Sequence, residues 1–334
     1  MTRLFILGGG AWGTALAQTL ARAGREAVLW AREEATVAAI NSTHENAIFL
    51  PGVRLEAGVR ATSDLAEAAR ADAVLLAVPA QYVRAVTAGL TLATGVPVVI
   101  CTKGIEIKTG ALMTEVLAET LPGAPLAVLS GPTFAAEVAR GQPTALTLAT
   151  TDASLGQTLI AAIGSRTFRP YLSDDPVGAA IGGAVKNVEA IACGIVVGIG
   201  LGENARAAVI TRGLAEMVRL AEAKGGKGET LIGLSGLGDL TLTCTSLQSR
   251  NYSLGVALGE GQTLAAIEGA RRSVAEGVSS APATVALAAR VGVEMPIAAG
   301  IDAILHRGAA IGNVVANLLA RPFRSESGVS NPKS

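Results

Sequence analysis

A glycine cluster, two lysines and an aspartate hold most of the chemistry available to this chain. Gly8-Gly9-Gly10-Ala11-Trp12-Gly13 fits the spacing G-x-G-x-x-G. That spacing asks for glycine at Gly8 for a tight turn, at Gly10 for approach to a pyrophosphate, and at Gly13 for close packing of helix on strand. The helix that follows offers unpaired N–H groups and the positive end of its dipole to the same phosphates. The motif alone is weak, so its context carries the reading. An apolar run at 4–7 precedes it, a helical pattern at 14–23 follows, and a second apolar run at 27–30 completes a βαβ unit. The unit is read as a dinucleotide site.

After that second run an NAD-selective fold places an acid on the ribose 2′-hydroxyl, whereas this chain reads Trp30-Ala31-Arg32-Glu33-Glu34. Arg32 suits a 2′-phosphate and favours NADP. Glu33 or Glu34 as a ribose partner, with Arg32 a solvated loop residue, is the alternative.

A second group of polar residues borders apolar segments. Lys103 follows the run at 97–101, and Ser130-Gly131-Pro132-Thr133-Phe134 follows the run at 126–129. Ligands of open α/β sheets bind at the carboxyl ends of such strands. Lys186 and Asn187 interrupt a row of small residues spaced by four, Gly178, Gly182, Ala190, Gly194, Gly198 and Gly202. On a helix that row is a ridge for close packing, where a lysine costs desolvation energy. The alternative is a lysine reaching out to water from the helix edge. Further on, Asp239 offers an acid beside the hydroxyls of 241–245, and Ser249-Arg250-Asn251 has the types of a phosphate clamp. An ordinary helix cap with a surface arginine fits those three residues alone equally well, and their position after Asp239 favours the clamp.

These groups need elements to position them. Up to about Asp174, short apolar runs (also 73–78) alternate with helical stretches, among them 64–70, where Asp64 and Glu67 have capping-box spacing. Alternation of this kind predicts a parallel sheet covered by helices on both faces. Beyond it, alanine- and glycine-rich helical stretches run to about Leu319, including an expected buried helix through 190–202. The expected domains are 1–175, a nucleotide-binding α/β domain, and 176–324, an all-α substrate domain, with a frayed tail at 325–334.

Composition narrows the partners. The 27 basic and 27 acidic residues cancel, so no basic field draws nucleic acid or an anionic membrane. The uncharged stretch at 190–202 is too short for a membrane span, which takes about 18 residues. No secretory leader is legible, and a cytoplasmic protein is expected. Cys101, Cys193 and Cys244 form no disulfide or zinc pattern and read as reduced core residues; His44 and His306 are far apart, and no metal is expected.

Taken in order, the motifs resemble those of one family, the bacterial-type NAD(P)-dependent glycerol-3-phosphate dehydrogenases. The resemblance covers nearly the whole chain. It runs through 8–16, Phe49-Leu50-Pro51-Gly52, Ala77-Val78-Pro79, Lys103-Gly104, 130–135, 185–188, Thr211-Arg212-Gly213, 236–245, 249–251 and Glu276-Gly277. Ala11 and Thr133 stand where serine is common in the family, and Glu203 where aspartate is usual.

The resemblance implies a Rossmann-type domain followed by a 6-phosphogluconate dehydrogenase-like helical domain. It implies hydride exchange between NAD(P)H and dihydroxyacetone phosphate, giving sn-glycerol 3-phosphate for glycerophospholipid synthesis, and a homodimer. Lys186 would be the general acid and base, with Lys103 and Asp239 in the catalytic group. Gly131, Thr133, Asn187, Asp239, Ser249, Arg250 and Asn251 would join the lysines around the substrate. Gly8, Gly10, Ala11, Trp12, Gly13, Arg32, Lys103, Ala135, Arg250, Val274 and Glu276 would contact the cofactor. Two other classes share part of the pattern: a related dehydrogenase of another small keto or hydroxy substrate, and a non-catalytic NAD(P) sensor. A sensor needs no proton donor, which the two lysines and Asp239 supply.

Overall fold

The apolar runs of the first half become strands because each is buried on both faces, as parallel strands between helices must be. The computed structural model describes residues 1–270 and 275–322. The expected tail at 325–334 and the expected cofactor contact Val274 lie outside the described residues.

Eight strands form one sheet: β1 (Arg3–Leu7), β2 (Glu26–Trp30), β3 (Val59–Thr62), β4 (Ala73–Leu76), β5 (Val98–Ile100), β6 (Leu126–Ser130), β7 (Thr144–Ala149) and β8 (Phe168–Ser173). Their order is β3-β2-β1-β4-β5-β6-β7-β8. The first six reproduce the doubly wound Rossmann order, whose switch point falls between β1 and β4. The expected parallel sheet is present, with one antiparallel pairing, β6 with β7, among its seven.

Six α-helices lie among the strands: α1 (Ala11–Arg22), α2 (Glu34–Thr43), α3 (Val83–Ala88), α4 (Met113–Thr120), α5 (Ala135–Ala139) and α6 (Ala153–Ile163). The helical half follows with α7 (Pro176–Gly198), α8 (Gly202–Ala223), α9 (Gly228–Ile232), α10 (Asp239–Cys244), α11 (Arg250–Gly259), α12 (Leu264–Gly269), α13 (Glu276–Arg290), α14 (Pro296–His306) and α15 (Ile311–Leu319).

Two local expectations are corrected. The stretch 64–70 forms a 3₁₀ helix at Leu65–Arg70, capped by Asp64 without a capping box. Asp64 accepts from the Ala66 N–H, while Glu67 turns away to Arg60 and Arg3. The helix expected through 190–202 stops at Gly198. Gly200 (φ 78°) and Gly202 (φ 84°) take left-handed backbone, which turns the chain into α8.

α7 is the axis of the helical half, buried along most of its length and packed by α8, α10, α11 and α13. Among the described residues it is the one helix long and apolar enough to cross a membrane, and it lies inside the helical core. Its glycine row does what a ridge should. A Cβ on Gly194 would lie 2.7 Å from the Val256 nitrogen and 2.8 Å from the Gly255 Cα of α11. Gly198 faces Gly259 in the same way. Gly194→Ala should therefore destabilise the protein, by about 1–3 kcal/mol of overpacking, although alanine is the better helix former. Urea unfolding followed by circular dichroism checks this; a stability equal to or above that of the parent would mean that α11 can move away freely.

Candidate active site between sheet and helices

Three polypeptide segments bring charge to one point. Lys103 leaves β5 in a loop that belongs physically to both halves. Ile105 and Leu112 of this loop are buried in the helical core, and Arg290 of α13 donates to the carbonyls of Thr109 (2.7 Å) and Gly110 (2.8 Å). From the sheet side, Gln81 donates to the Ile105 carbonyl at 2.8 Å and accepts from the Ile107 N–H at 3.0 Å. Lys186 comes from α7. Asp239 opens α10, directly after a π-helical turn at Leu234–Gly238, a distortion often found at functional sites.

Asp239 bridges the two lysines. Its Oδ2 accepts from Lys103 Nζ at 2.7 Å and its Oδ1 accepts from Lys186 Nζ. Lys103 also donates to the Gly131 carbonyl at 3.1 Å, with Thr133 Oγ1 at 3.5 Å. Lys186 donates to Thr243 Oγ1 at 2.9 Å, and the Thr243 hydroxyl in turn donates to the Asp239 carbonyl at 2.6 Å. Two of the three Lys186 N–H bonds are thus taken, and the third has no protein acceptor among the described residues. Lys186 is only 6% exposed and Asp239 is fully buried, so the lysine reaching out to water is excluded.

Burial governs the titration. Desolvation brings Lys186 down to about 8, with the neighbouring Lys103 charge acting the same way and Asp239 opposing both. Desolvation likewise holds the half-buried Glu276 above the usual carboxylate range, against the pull of Arg250, Lys103 and Lys186. Two ammonium groups around one carboxylate leave a surplus positive charge, a setting suited to an anionic oxygen.

A second knot lies beside the first. Asn187 Oδ1 accepts from Asn251 Nδ2 at 2.9 Å, and Asn251 Oδ1 accepts from the Gly277 N–H at 2.9 Å. Adjacent residues of α7 thus reach both knots. Ser249 Oγ caps α11 by accepting from the Tyr252 N–H at 3.2 Å. The cap reading therefore holds for Ser249, and Arg250 is the first residue of the helix it caps.

The glycine turn lies at the sheet's switch point, and its three glycines differ. A Cβ on Gly8 would lie 2.7 Å from the Ala77 carbonyl carbon at the end of β4, and one on Gly13 would collide with the Gly8 carbonyl oxygen. A Cβ on Gly10 would meet nothing within 4 Å. The motif is thus packed where structure needs it and open where a pyrophosphate must approach. α1 begins at Ala11 with no side-chain cap, and the buried Trp12 Nε1 has no partner among the described residues. The residues present fit a bound dinucleotide. Ala135, first residue of α5, packs on the same core as Ala11 and Trp12. Arg32 stands apart from the lysines, 75% exposed at its side chain and paired with Glu33.

Two residues of this arrangement were not singled out from sequence. Thr243 is four residues after Asp239 in α10, a helical spacing that puts both on one face. Asn46 is buried and donates to the Gly9 carbonyl (2.9 Å) and to Thr14 Oγ1 (2.8 Å), pinning the glycine turn to α1. Nothing in its neighbours announces that role.

A doubly wound sheet with an open glycine turn, joined to a helical half that supplies a buried lysine, defines a two-domain nicotinamide-dependent dehydrogenase. Known proteins narrow the class. The N-terminal profile of NAD-dependent glycerol-3-phosphate dehydrogenases matches residues 3–156 and the C-terminal profile matches 175–316. A glycerol-3-phosphate dehydrogenase [NAD(P)+] of Rhodospirillum rubrum is 61% identical over 97% of this chain and 93% of its own length. One from Parvibaculum lavamentivorans is 59% identical over 97% of this chain and 98% of its own. The crystal structure of glycerol-3-phosphate dehydrogenase from Coxiella burnetii superposes with a TM-score of 0.92 at 40% identity, covering 96% of this chain and 99% of that one. The chain belongs to the NAD-dependent glycerol-3-phosphate dehydrogenase family.

The contact between Thr243 and Lys186 can be tested through pH. Thr243→Val removes an acceptor from the ammonium, disfavours the charged form and should move the Lys186 pKa below about 8. The alkaline limb of the turnover profile in the reducing direction then shifts to lower pH, and Thr243→Ser returns it. A limb that stays in place in the valine variant would separate Thr243 from the titrating group.

Proposed function

We propose that the protein catalyses reversible exchange of hydride between NAD(P)H and dihydroxyacetone phosphate, forming sn-glycerol 3-phosphate for glycerophospholipid synthesis. The observation that supports it most is the Lys103–Asp239–Lys186 bridge between the α/β half, taken as 1–175, and the helical half, taken as 176–324. The bound nicotinamide supplies the hydride.

In the reducing direction Lys186 gives the proton of its free N–H to the substrate's C2 oxygen. Its lowered pKa suits both giving up that proton and regaining it near neutral pH. Asp239 aims the ammonium and holds it in one place. Lys103 sets fixed positive charge beside the oxygen as negative charge develops there, help typically worth about 10² to 10³ in rate. Arg250 and the first turn of α11 hold the phosphate, which positions C2 without entering the chemistry. Asn187 and Asn251 fix the floor of the substrate pocket. Ala11, Trp12, Arg32, Ala135 and Glu276 line the cofactor side, with Gly10 at the pyrophosphate.

Assembly and place follow from weaker signs. The apolar residues Ile311, Val314, Val315, Leu318 and Leu319 of α15 are all incompletely buried, which supports a homodimer formed through the helical half. The cytoplasm is the compartment in which three buried free cysteines stay reduced.

Oxidation of NADPH or NADH on adding dihydroxyacetone phosphate, followed by the loss of reduced-nicotinamide absorbance, tests the activity directly. Lys186→Met should lower kcat by about 10² to 10⁴, the usual worth of a positioned general acid, and leave cofactor binding intact. Wild-type turnover in that variant would remove Lys186 from the mechanism. Arg250→Ala should act chiefly on KM for the phosphorylated substrate. A pure kcat effect there would place Arg250 elsewhere.

A further inference from the structure

The β2 to α2 corner holds two opposite answers to one question. This corner is bound to the glycine turn: the Gly8 N–H donates to the Trp30 carbonyl at 3.1 Å, and a Cβ on Gly9 would press on Ala31. The next two residues therefore flank the place where a dinucleotide's adenosine ribose leaves that turn. They are Arg32, a partner for a 2′-phosphate, and Glu33, a partner for a 2′-hydroxyl. Here they hold each other. Arg32 Nε and Nη2 both donate to Glu33 Oε1, at 3.0 and 2.7 Å. Glu33 is the residue before α2, and its carboxylate makes no capping bond to that helix.

We propose that Glu33 sets the balance between NADP and NAD by competing with the 2′-phosphate for the Arg32 guanidinium. With the phosphorylated cofactor, Arg32 must leave Glu33, and the carboxylate then stands beside a dianion. With NAD, the pair stays intact and Glu33 keeps an oxygen for the ribose hydroxyl. The site thereby accepts both and is optimised for neither. This deepens the dehydrogenase reading above and rests on it only through the dinucleotide site.

The test measures binding rather than turnover. NADPH and NADH are titrated separately into the full-length protein, and Kd is read from nicotinamide fluorescence. Glu33→Gln should tighten NADPH by about two- to fivefold, the worth of an exposed ion pair, and weaken NADH slightly by replacing the charged acceptor of the ribose hydroxyl with a neutral one, so that the NADPH-to-NADH ratio of affinities rises. Arg32→Ala should weaken NADPH, and in that background Glu33→Gln should lose most of its effect. Raising ionic strength should shrink the gain, because both side chains face solvent. An unchanged NADPH-to-NADH ratio in Glu33→Gln, with both cofactors bound, would overturn the role of Glu33 alone. Binding of neither cofactor by the parent would overturn the dinucleotide reading as well.

Discussion

One carboxylate holds two ammonium groups from opposite halves of the molecule, and the arrangement of the site depends on it. Without Asp239, the buried Lys186 would face the partly buried Lys103 as an uncompensated like charge. Removing one partner of a buried ion pair typically costs about 3–5 kcal/mol, because the remaining charge is left uncompensated. With Asp239 in place, each lysine has a fixed direction, and the loop after β5 is tied to α7 and α10. The same group keeps Lys186 charged near neutral pH against a desolvation that would otherwise strip its proton.

That electrostatic junction needs close approach of the backbones. Ser130 and the Lys103 stem pass so near α7 that a Cβ on Gly183 would lie 2.7 Å from Ser130 Oγ and 3.3 Å from Lys103 Cγ. A side chain at 183 would push the sheet's lysine away from the helix's. On the other faces of α7, Gly182, Gly194 and Gly198 admit the 235 segment and α11 equally closely. Each helical glycine costs about 1 kcal/mol relative to alanine, and that cost is offset by tight packing on several sides. A site built on such a helix is held rigidly, which electrostatic preorganisation requires.

Much of this was legible in the sequence because it rests on residues that are out of place for their surroundings. Lys186 breaks a row of small residues, and only a functional pairing or an escape to water explains a lysine there. The glycine turn was legible from strand, spacing and helix together. What was hidden has specific causes. The edge strands β3 and β8, and β7 beside β8, mix polar and apolar residues, and strand direction leaves no mark in residue type, so the antiparallel β6–β7 pairing went unforeseen. The end of α7 was missed because Gly200 and Gly202 continue the same small-residue pattern while adopting left-handed backbone. Thr243 and Asn46 act through long-range hydrogen bonds, which no local pattern encodes.

α7 buries a second ionisable group one turn beyond Lys186, and the contrast shows what Asp239 does. Glu189 is fully buried, and neither of its oxygens has a hydrogen-bond partner among the described residues. Burial, with the nearby Glu216 carboxyl acting the same way, pushes it well above the usual carboxylate range. Glu216, which accepts the Ile297 and Ala298 N–H groups of α14, is itself raised to about 7, chiefly by burial. Both carboxyls hold protons in the folded chain that the unfolded chain releases. Their contribution to stability is fullest below the ordinary carboxylate range and is lost as pH rises through about 7 and beyond. The same helix interior thus disfavours the charge of an acid that has no counter-ion and holds a lysine that has one at about 8. Burial alone strips charge from a side chain; burial with a partner that restores part of the lost solvation lets the charge persist.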